Sequence, residues 1–346
     1  MSLSDALKAR DASLLPSRRD EDWRWTDLRG LIRALPPQAP EAPAPQIAGP
    51  FGALGEVELA VVNGRVLGDA DALRLAPGER RTVRLRLISA SPETAYGVGL
   101  DVEIGEGAEL TLLESHEATA GGYLADVQLD LRLARGAVIE RIVLVDDDAE
   151  AATVTTADVA LAPAARFAQT TLTTGARRQR LETRVIHPGE GAQVRMDGAY
   201  LLAGQRHADL TSAVTHGGLD GTTEQLVKGV VTDQARGVFQ GRITVNPGAD
   251  RTDARMGHHA LILDDRAEID AKPELLIFAD DVACAHGNTI GALDDDALFY
   301  ARQRGIPQAE ARALLTAAFI GEVIDRIGDE AARDVVRSWT EKRRVG

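Results

Sequence analysis

The sequence predicts a mainly β protein whose core is a β-solenoid, with a short helical segment before it and helices after it. Short runs of alternating apolar and polar residues, such as "TVRLRLIS" and "DVQLDLRLA", recur from about residue 56 to residue 291. This alternation is typical of strands. No amphipathic helix of useful length separates these runs, which disfavours a doubly wound α/β sheet. A weak repeat in the same region favours a solenoid.

The repeat is marked by an alanine that follows a small turn residue and precedes a strand. These alanines are Ala108, Ala137, Ala165 and Ala192, in steps of 29, 28 and 27 residues. The spacing breaks over the 45 residues to Gly237 and recovers with 30 more to Ala267. In a β-solenoid each coil covers the edge of its neighbour, which produces a repeat of this kind. A β-sandwich gives similar alternation, so it stays open as an alternative.

The first predicted unit, residues 1–50, combines short helical structure with a proline-rich linker. The string "SDALKAR" suits a helix with Ser4 as its N-cap. The string "PSRRDEDWRWTDLRGL" carries Trp23 and Trp25, which we expect to anchor this segment onto the rest of the protein. The following "LPPQAPEAPAPQIAGP" holds six of the 14 prolines. Prolines at this density favour an extended linker over a central helix or strand.

The second predicted unit, residues 51–292, is the β core, and the third, residues 293–346, is helical. The string "DDDALFYARQRGIP" places acidic residues at a helix start, where the helix dipole favours them. Gly305 suits the end of that helix, and Pro307 suits the first turn of the next. Apolar residues recur at helical spacing on both sides of Gly328. The sequence therefore predicts three C-terminal helices.

Composition argues against several classes of partner. The chain has 346 residues and a net charge of −14, and a negative field repels phosphate backbones, so we expect no nucleic acid partner. No apolar stretch approaches the length of about 20 residues that a membrane span needs, and the N-terminus does not resemble a secretory signal. One cysteine without an export signal indicates a cytoplasmic protein.

Common catalytic and nucleotide-binding motifs are absent. The sequence contains no GxxxxGK, GxSxG, HExxH, CxxC or GxGxxG string, so nothing indicates an enzyme or an ATP site within this chain. The seven histidines are scattered, and we expect each to be a turn or surface residue rather than a ligand. In the adjacent pair His258 and His259, an extended backbone would direct the two side chains to opposite faces.

The string "DDVACAHG" contains the single cysteine and a histidine two residues later. In a strand, Val282, Cys284 and His286 share one face, with Cys284 and His286 roughly 6.5–7 Å apart at Cα. One cysteine is too few for a four-cysteine zinc or iron–sulfur site. Any metal site here therefore needs ligands from another protein. The residues alone leave three roles open: a buried strand, a shared metal or cluster site, and a nucleophile.

Four strings together resemble the C-terminal half of proteins of the SufB/SufD family, which are core subunits of the SUF iron–sulfur cluster assembly machinery. They are "AEIDAKPEL", "ADDVACAHG", "LFYARQRGI" and "ARALLTAAF", within a block of about 60 residues. "PSRRDEDWRWTDLRGL" resembles the family's N-terminal segment, although the N-terminal unit here is short. "DAKPEL" and "CAHG" are more similar to SufD, and one cysteine cannot supply the several thiolates expected of SufB.

The resemblance implies a right-handed parallel β-helix between a helical N-terminal segment and a C-terminal helical domain. It also implies a non-enzymatic scaffold in a SufBCD complex, paired with a SufB-like paralogue through the β-helix and with a SufC-like ABC ATPase through the C-terminal helices. His286 would bind iron or a transient iron–sulfur cluster at the SufB interface, beside Cys284 as an auxiliary thiol. Residues of the SufC-facing helical region would be Phe299, Tyr300, Arg302 and Arg304.

Other interpretations stay open at this point. Phe299 and Tyr300 could simply pack the helical unit, and Arg302 and Arg304 could be solvated. The chain could be a homodimeric β-solenoid that only docks other proteins, without a metal role. It could also be a β-helix enzyme that cleaves polysaccharides, although the sequence offers no cluster of carboxylates and basic residues on one solenoid face.

Overall fold

Two parallel β-sheets wind into a solenoid of about eight turns. A computed structural model describes residues 2–55, 57–187 and 190–343. From the third strand onward the strands alternate between the sheets, and from the fifth onward each inner strand pairs with the strands two before and two after it. Apart from one antiparallel pair at the start, every pairing among the described strands is parallel. The prediction of a mainly β solenoid is confirmed, and the sandwich alternative is wrong.

In the described part of the chain one sheet has ten strands and the other has eight. The ten-stranded sheet contains β1 (Val57–Val62), β2 (Arg65–Leu67), β4 (Arg80–Ser89), β6 (Glu109–Ala118), β8 (Val138–Asp146), β10 (Arg166–Thr173), β12 (Gln193–Leu202), β14 (Thr222–Val231), β16 (Thr252–Ile262) and β18 (Val282–Gly291). The eight-stranded sheet contains β3 (Arg74–Leu75), β5 (Ala95–Ile104), β7 (Leu124–Leu133), β9 (Ala152–Leu161), β11 (Arg178–His187), β13 (His207–His216), β15 (Arg236–Val245) and β17 (Glu268–Ile277).

The sequence repeat corresponds to the turn that leads into the ten-stranded sheet. The residue at this turn has a positive φ, between 57° and 67°, in six coils: Gly107, Gly136, Ala164, Gly191, Asp220 and Arg251. The alanine that follows is fully buried at the first four of these turns. The expected break after Ala192 is wrong, because Gly237 lies within β15 and Ala267 precedes β17, and both strands belong to the other sheet. At the two equivalent turns the left-handed residue is Asp220 or Arg251, and no alanine follows it, so these turns do not show the repeat pattern.

Apolar side chains fill the space between the two sheets. Leu110, Ile139, Phe167 and Val194 are register partners on successive strands, and each is at most 3% exposed. Burying one such side chain stabilises the fold by about 1.5–3 kcal/mol. The ladder continues from coil to coil, so each coil depends on the next one to cover its interior face.

The N-terminal unit packs on the outside of the eight-stranded sheet. Its helices are α1 (Leu3–Ala9) and α2 (Leu28–Leu31). The N-cap of α1 is Ser2, which accepts from the Asp5 amide. The expectation of Ser4 as the cap is wrong, because Ser4 is a buried residue within the helix.

The tryptophan segment is anchored as predicted. The buried Arg180 guanidinium lies 4.6 Å from the Trp23 ring centroid, and His207 Nε2 donates to the Trp25 carbonyl at 3.0 Å. The Thr26 hydroxyl donates to Asp209 at 2.6 Å. Because Arg180 also pairs with Asp209 at 2.9 Å, a buried ion pair lies beneath this segment.

Three helices follow the solenoid: α3 (Asp295–Gln303), α4 (Gln308–Ile324) and α5 (Glu330–Glu341). Apolar residues of α4 and α5, including Ile320 and Trp339, pack against the ten-stranded sheet. The limits at 50/51 and 292/293 stay predictions, and residues 344–346 of the third predicted unit lie outside the described residues. No described helix has both the length and the apolar character needed to cross a membrane.

Candidate functional site

The two ends of the solenoid differ. At the N-terminal end the sheets finish with β2, of three residues, and β3, of two. At the C-terminal end they finish with β17 and β18, of ten residues each, and no described strand pairs with their outer edges. Short edge strands limit unwanted pairing, whereas a long uncovered edge is a template for another chain. We call the surface formed by β17 and β18 the open end.

Cys284 and His286 lie on β18, at the open end. Cys284 is the register partner of Ala254, and His286 is the register partner of Met256. Cys284 is half-buried and packs against the solenoid interior with Val282. His286 follows the same alternation but is exposed, because no further coil covers it. The structure thus brings the two predicted ligands together on one strand face.

The two side chains have different chemical character. Burial raises the pKa of the Cys284 thiol, and nearby Asp253 adds to this effect, so the thiol is protonated at neutral pH. The His286 ring is exposed, and among the described residues none hydrogen-bonds to it. Among the described residues, no group of three or more histidine, cysteine, aspartate or glutamate side chains could hold a metal ion. The described residues thus offer Cys284 and His286 no third ligand of these types.

Beside His286 lies a hydrogen-bonded chain that the sequence did not predict. The Tyr200 hydroxyl lies 2.9 Å from His258 Nε2, and His258 Nδ1 lies 2.7 Å from Asn288 Oδ1. The His258 ring stacks on Phe239 at 4.8 Å with an interplanar angle of 9°. These hydrogen bonds connect the solenoid interior with Asn288 on β18, two residues after His286.

The expectation that the histidines occupy turns or the surface is wrong for most of them. Five are buried, and all five are strand residues: His116, His187, His207, His216 and His258. The expectation for the adjacent pair is confirmed, since His258 is buried whereas His259 lies on the outer face, 2.7 Å from the Thr289 hydroxyl.

Two strand glycines are the sequence signal that could have indicated this arrangement. A Cβ atom at Gly229 would lie 2.0 Å from the Tyr200 ring, and one at Gly237 would lie 2.4 Å from it. An isolated glycine inside a strand often marks a close approach by another group. Here two glycines leave the space that the Tyr200 ring fills.

Apolar side chains border the open end. The last two residues of β17 are Leu276 and Ile277, and Phe278 follows directly after the strand. Ile290 lies on β18. They are 41–61% exposed. A cluster of exposed large apolar residues is typical of a protein interface.

A second exposed surface lies on α3, which contains no buried residue. Phe299 and Tyr300 are 62% and 60% exposed, so they do not pack the helical unit. Arg304 donates to the Tyr300 hydroxyl at 2.6 Å and its guanidinium lies 4.8 Å from the ring centroid. Arg302 is exposed on the same helix. Tyr300 and Arg304 therefore contact each other, and Phe299 and Arg302 are exposed on the same helix.

Comparison with known proteins identifies the family. The model for "SUF system FeS cluster assembly, SufBD core domain" matches residues 89–319, two thirds of the chain. The chain belongs to this family. The resemblance to the SufB/SufD family is thereby confirmed, and the chain is a SufBD-family iron–sulfur cluster assembly protein.

Relatives from three bacteria are similar to this SufBD protein. The iron–sulfur cluster assembly protein SufD of Escherichia coli (strain K12) is 26% identical over 380 residues, covering 96% of this chain and 90% of that protein. A SufBD family protein of Mycobacterium leprae (strain TN) is 28% identical, covering 94% and 89%. One of Synechocystis sp. (strain ATCC 27184 / PCC 6803 / Kazusa) is 30% identical, covering 65% of this chain and 52% of its own length.

Proposed function

We propose that this SufBD protein is a non-enzymatic scaffold subunit of a SUF complex, which pairs through its open end with a SufB-like paralogue. The observation that supports this most is the pair of ten-residue strands whose outer edges are uncovered, bordered by exposed apolar side chains. A partner strand on each edge would satisfy the free backbone groups and would cover the interior face.

Iron or a nascent iron–sulfur cluster is the cargo of the proposed interface. His286 is its ligand from this chain, and Cys284 is an auxiliary thiol. Imidazole is an accepted iron ligand in iron–sulfur centres, and the SufB-like partner supplies the thiolates that this chain lacks. The exposure of His286 supports this assignment, because a ligand shared between two chains has to be accessible before they associate.

The α3 surface is the proposed docking site for a SufC-like ABC ATPase. The SufBD protein itself has no GxxxxGK motif, so ATP hydrolysis comes from that partner. Phe299 and Tyr300 are the apolar anchors, with Arg302 and Arg304 beside them. Aromatic and arginine side chains contribute a large part of the binding energy at protein interfaces.

Co-expression with a SufB-like and a SufC-like protein tests this proposal. We expect a stable complex with one copy each of the SufBD protein and its paralogue, measured by size exclusion with light scattering. After reconstitution with ferrous iron and sulfide under anaerobic conditions, the complex should hold iron and acid-labile sulfide. A SufBD protein that forms only its own homodimer, with neither partner bound, would contradict the proposal.

A further inference from the structure

The hydrogen bonds that link Tyr200, His258 and Asn288 all run in one direction, from donor to acceptor. Burial lowers the pKa of His258 to about 4, so its ring is neutral and carries a single N–H. Because Nδ1 lies 2.7 Å from the Asn288 carbonyl oxygen, that N–H is on Nδ1 and donates to Asn288. Nε2 is then an acceptor, and the Tyr200 hydroxyl donates to it at 2.9 Å.

This direction determines what Asn288 presents at the open end. Its Oδ1 atom is occupied by His258, so the amide nitrogen, with two N–H donors, remains available. None of the residues that the structure describes accepts from this nitrogen. Asn288 is exposed, and it lies on the same face of β18 as His286, roughly 6.5–7 Å away at Cα.

The supporting groups are fixed by packing. Tyr200 is fully buried, and its ring fills the space that Gly229 and Gly237 leave. His258 is held flat against Phe239. Two rigid rings thus hold the carbonyl side of an exposed amide, which orients its donor side before any partner binds.

We propose that the Asn288 amide donates a hydrogen bond to an anionic sulfur, sulfide or thiolate, of the group bound by His286, with Tyr200 and His258 as positioning residues. This inference rests on the proposed function. Hydrogen bonds to cluster sulfurs are among the determinants of reduction potential. A donor at this position stabilises the more negative, reduced form, so it raises the potential and slows the loss of iron.

Two substitutions at Asn288 separate its donor role from its acceptor role. Asn288→Asp keeps an oxygen for His258 and removes the amide donors, whereas Asn288→Ala removes both. On the complex reconstituted with iron and sulfide, we expect either variant to lower the midpoint reduction potential. We also expect iron loss to EDTA to become about tenfold faster, as for other supporting residues around a metal. Thr289→Ala, on the opposite face of β18, is the matched control.

Tyr200→Phe tests the positioning role without touching the open end. We expect the ¹⁵N resonance of His258 Nε2, which loses its hydrogen-bond donor, to shift while the proton stays on Nδ1, with a smaller drop in potential than in the Asn288 variants. A His258 that carries its proton on Nε2 in the wild-type chain would overturn the proposed direction. The Asn288 variants keep the proposal testable if Tyr200→Phe fails to fold.

The outcomes distinguish this inference from the proposed function. If His286→Ala abolishes cluster retention while both Asn288 variants keep the wild-type potential and iron loss, the donor assignment is overturned and the shared site stands. If His286→Ala has no effect on retention, the shared site itself is wrong, and the role of Asn288 falls with it.

Discussion

Met256 and His286 occupy the same position in two consecutive coils and are register partners, yet Met256 is 2% exposed whereas His286 is exposed. Met256 lies on β16, which is covered by β18, whereas His286 lies on β18, which no described strand covers. The open end is therefore an interior face without its covering coil. A second β-helix would complete it.

Apolar residues at the open end should strengthen the association with a SufB-like partner. Phe278 is 61% exposed, so Phe278→Asp should not alter the free energy of unfolding of the isolated chain. If its ring is buried in the complex, its loss costs about 2 kcal/mol, or roughly thirtyfold in Kd. Isothermal titration with the SufB-like partner measures this. Ile186→Asp is the control, since Ile186 is 58% exposed on β11, away from the open end. Equal losses in the two variants would contradict the assignment.

Binding of the SufC-like ATPase should depend on α3. Phe299→Ala should weaken that binding by about 2 kcal/mol, because an aromatic anchor at an interface contributes on this scale. Pairing with the SufB-like partner should be unaffected. Ile47→Ala serves as the control, at an apolar residue that is 82% exposed in the linker. An unchanged Kd for the ATPase with Phe299→Ala would exclude this surface.

A buried carboxylate stabilises the solenoid through its ion pair. Burial by itself would raise the pKa of Glu114, but Arg141 and His116 outweigh it and lower the pKa to about 2. Arg141 donates to both carboxylate oxygens, at 2.8 and 2.9 Å. Glu114→Gln leaves the buried Arg141 guanidinium with an uncharged partner. It should lower the free energy of unfolding by about 3–5 kcal/mol at pH 7.

The pH dependence of this loss follows from the lowered pKa. The stabilisation by Glu114 is fully present above pH 4.5, its ordinary pKa, and disappears as the pH falls towards 2. The difference between Glu114→Gln and wild type, measured by urea unfolding, should therefore shrink below pH 4.5. Asp158→Asn, in a half-exposed pair with Arg184, should cost at most about 1 kcal/mol. A similar cost for the two variants would contradict the role of burial.

Buried histidines should make the fold sensitive to mild acid. Burial lowers the pKa to about 3 for His216 and about 4 for His187, His207 and His258. Between pH 6.5 and 4 these histidines are protonated in the unfolded chain but neutral in the folded chain. The free energy of unfolding therefore decreases as the pH is lowered through this range.

Two buried aspartates oppose this effect, because burial raises the pKa of Asp126 and Asp197 to about 6. Four histidines against two aspartates leave a net uptake of about two protons on unfolding near pH 5, or about 3 kcal/mol per pH unit. Urea unfolding at pH 7 and pH 5, at equal ionic strength, measures this. His187→Asn should lower the number of protons taken up on unfolding by about one. Equal stability at the two pH values would contradict the prediction.

The fold was predictable because its signals are local. Alternating strands, turn residues before buried alanines, and helix starts at Asp294 and Pro307 all lie within a few residues of the features they indicate. The repeat failed where the left-handed position is occupied by Asp220 or Arg251 instead of glycine or alanine. Residue type alone does not reveal such a backbone conformation.

The site was predictable only along one strand. Cys284 and His286 are two residues apart, so strand alternation placed them on one face. Tyr200 and Asn288 are 88 positions apart in the sequence, and only the winding of the solenoid brings both to His258. The exposure of His286 likewise depends on which coil is last, and that depends on the whole topology.

The most direct test of the shared site is the iron and acid-labile sulfide content of the reconstituted complex with His286→Ala. We predict that this variant folds and binds both partners but holds far less iron and sulfide than wild type. His259→Ala is the matched control, since His259 lies on the outer face of the neighbouring strand, and it should retain the wild-type content. Wild-type iron and sulfide with His286→Ala would contradict the account.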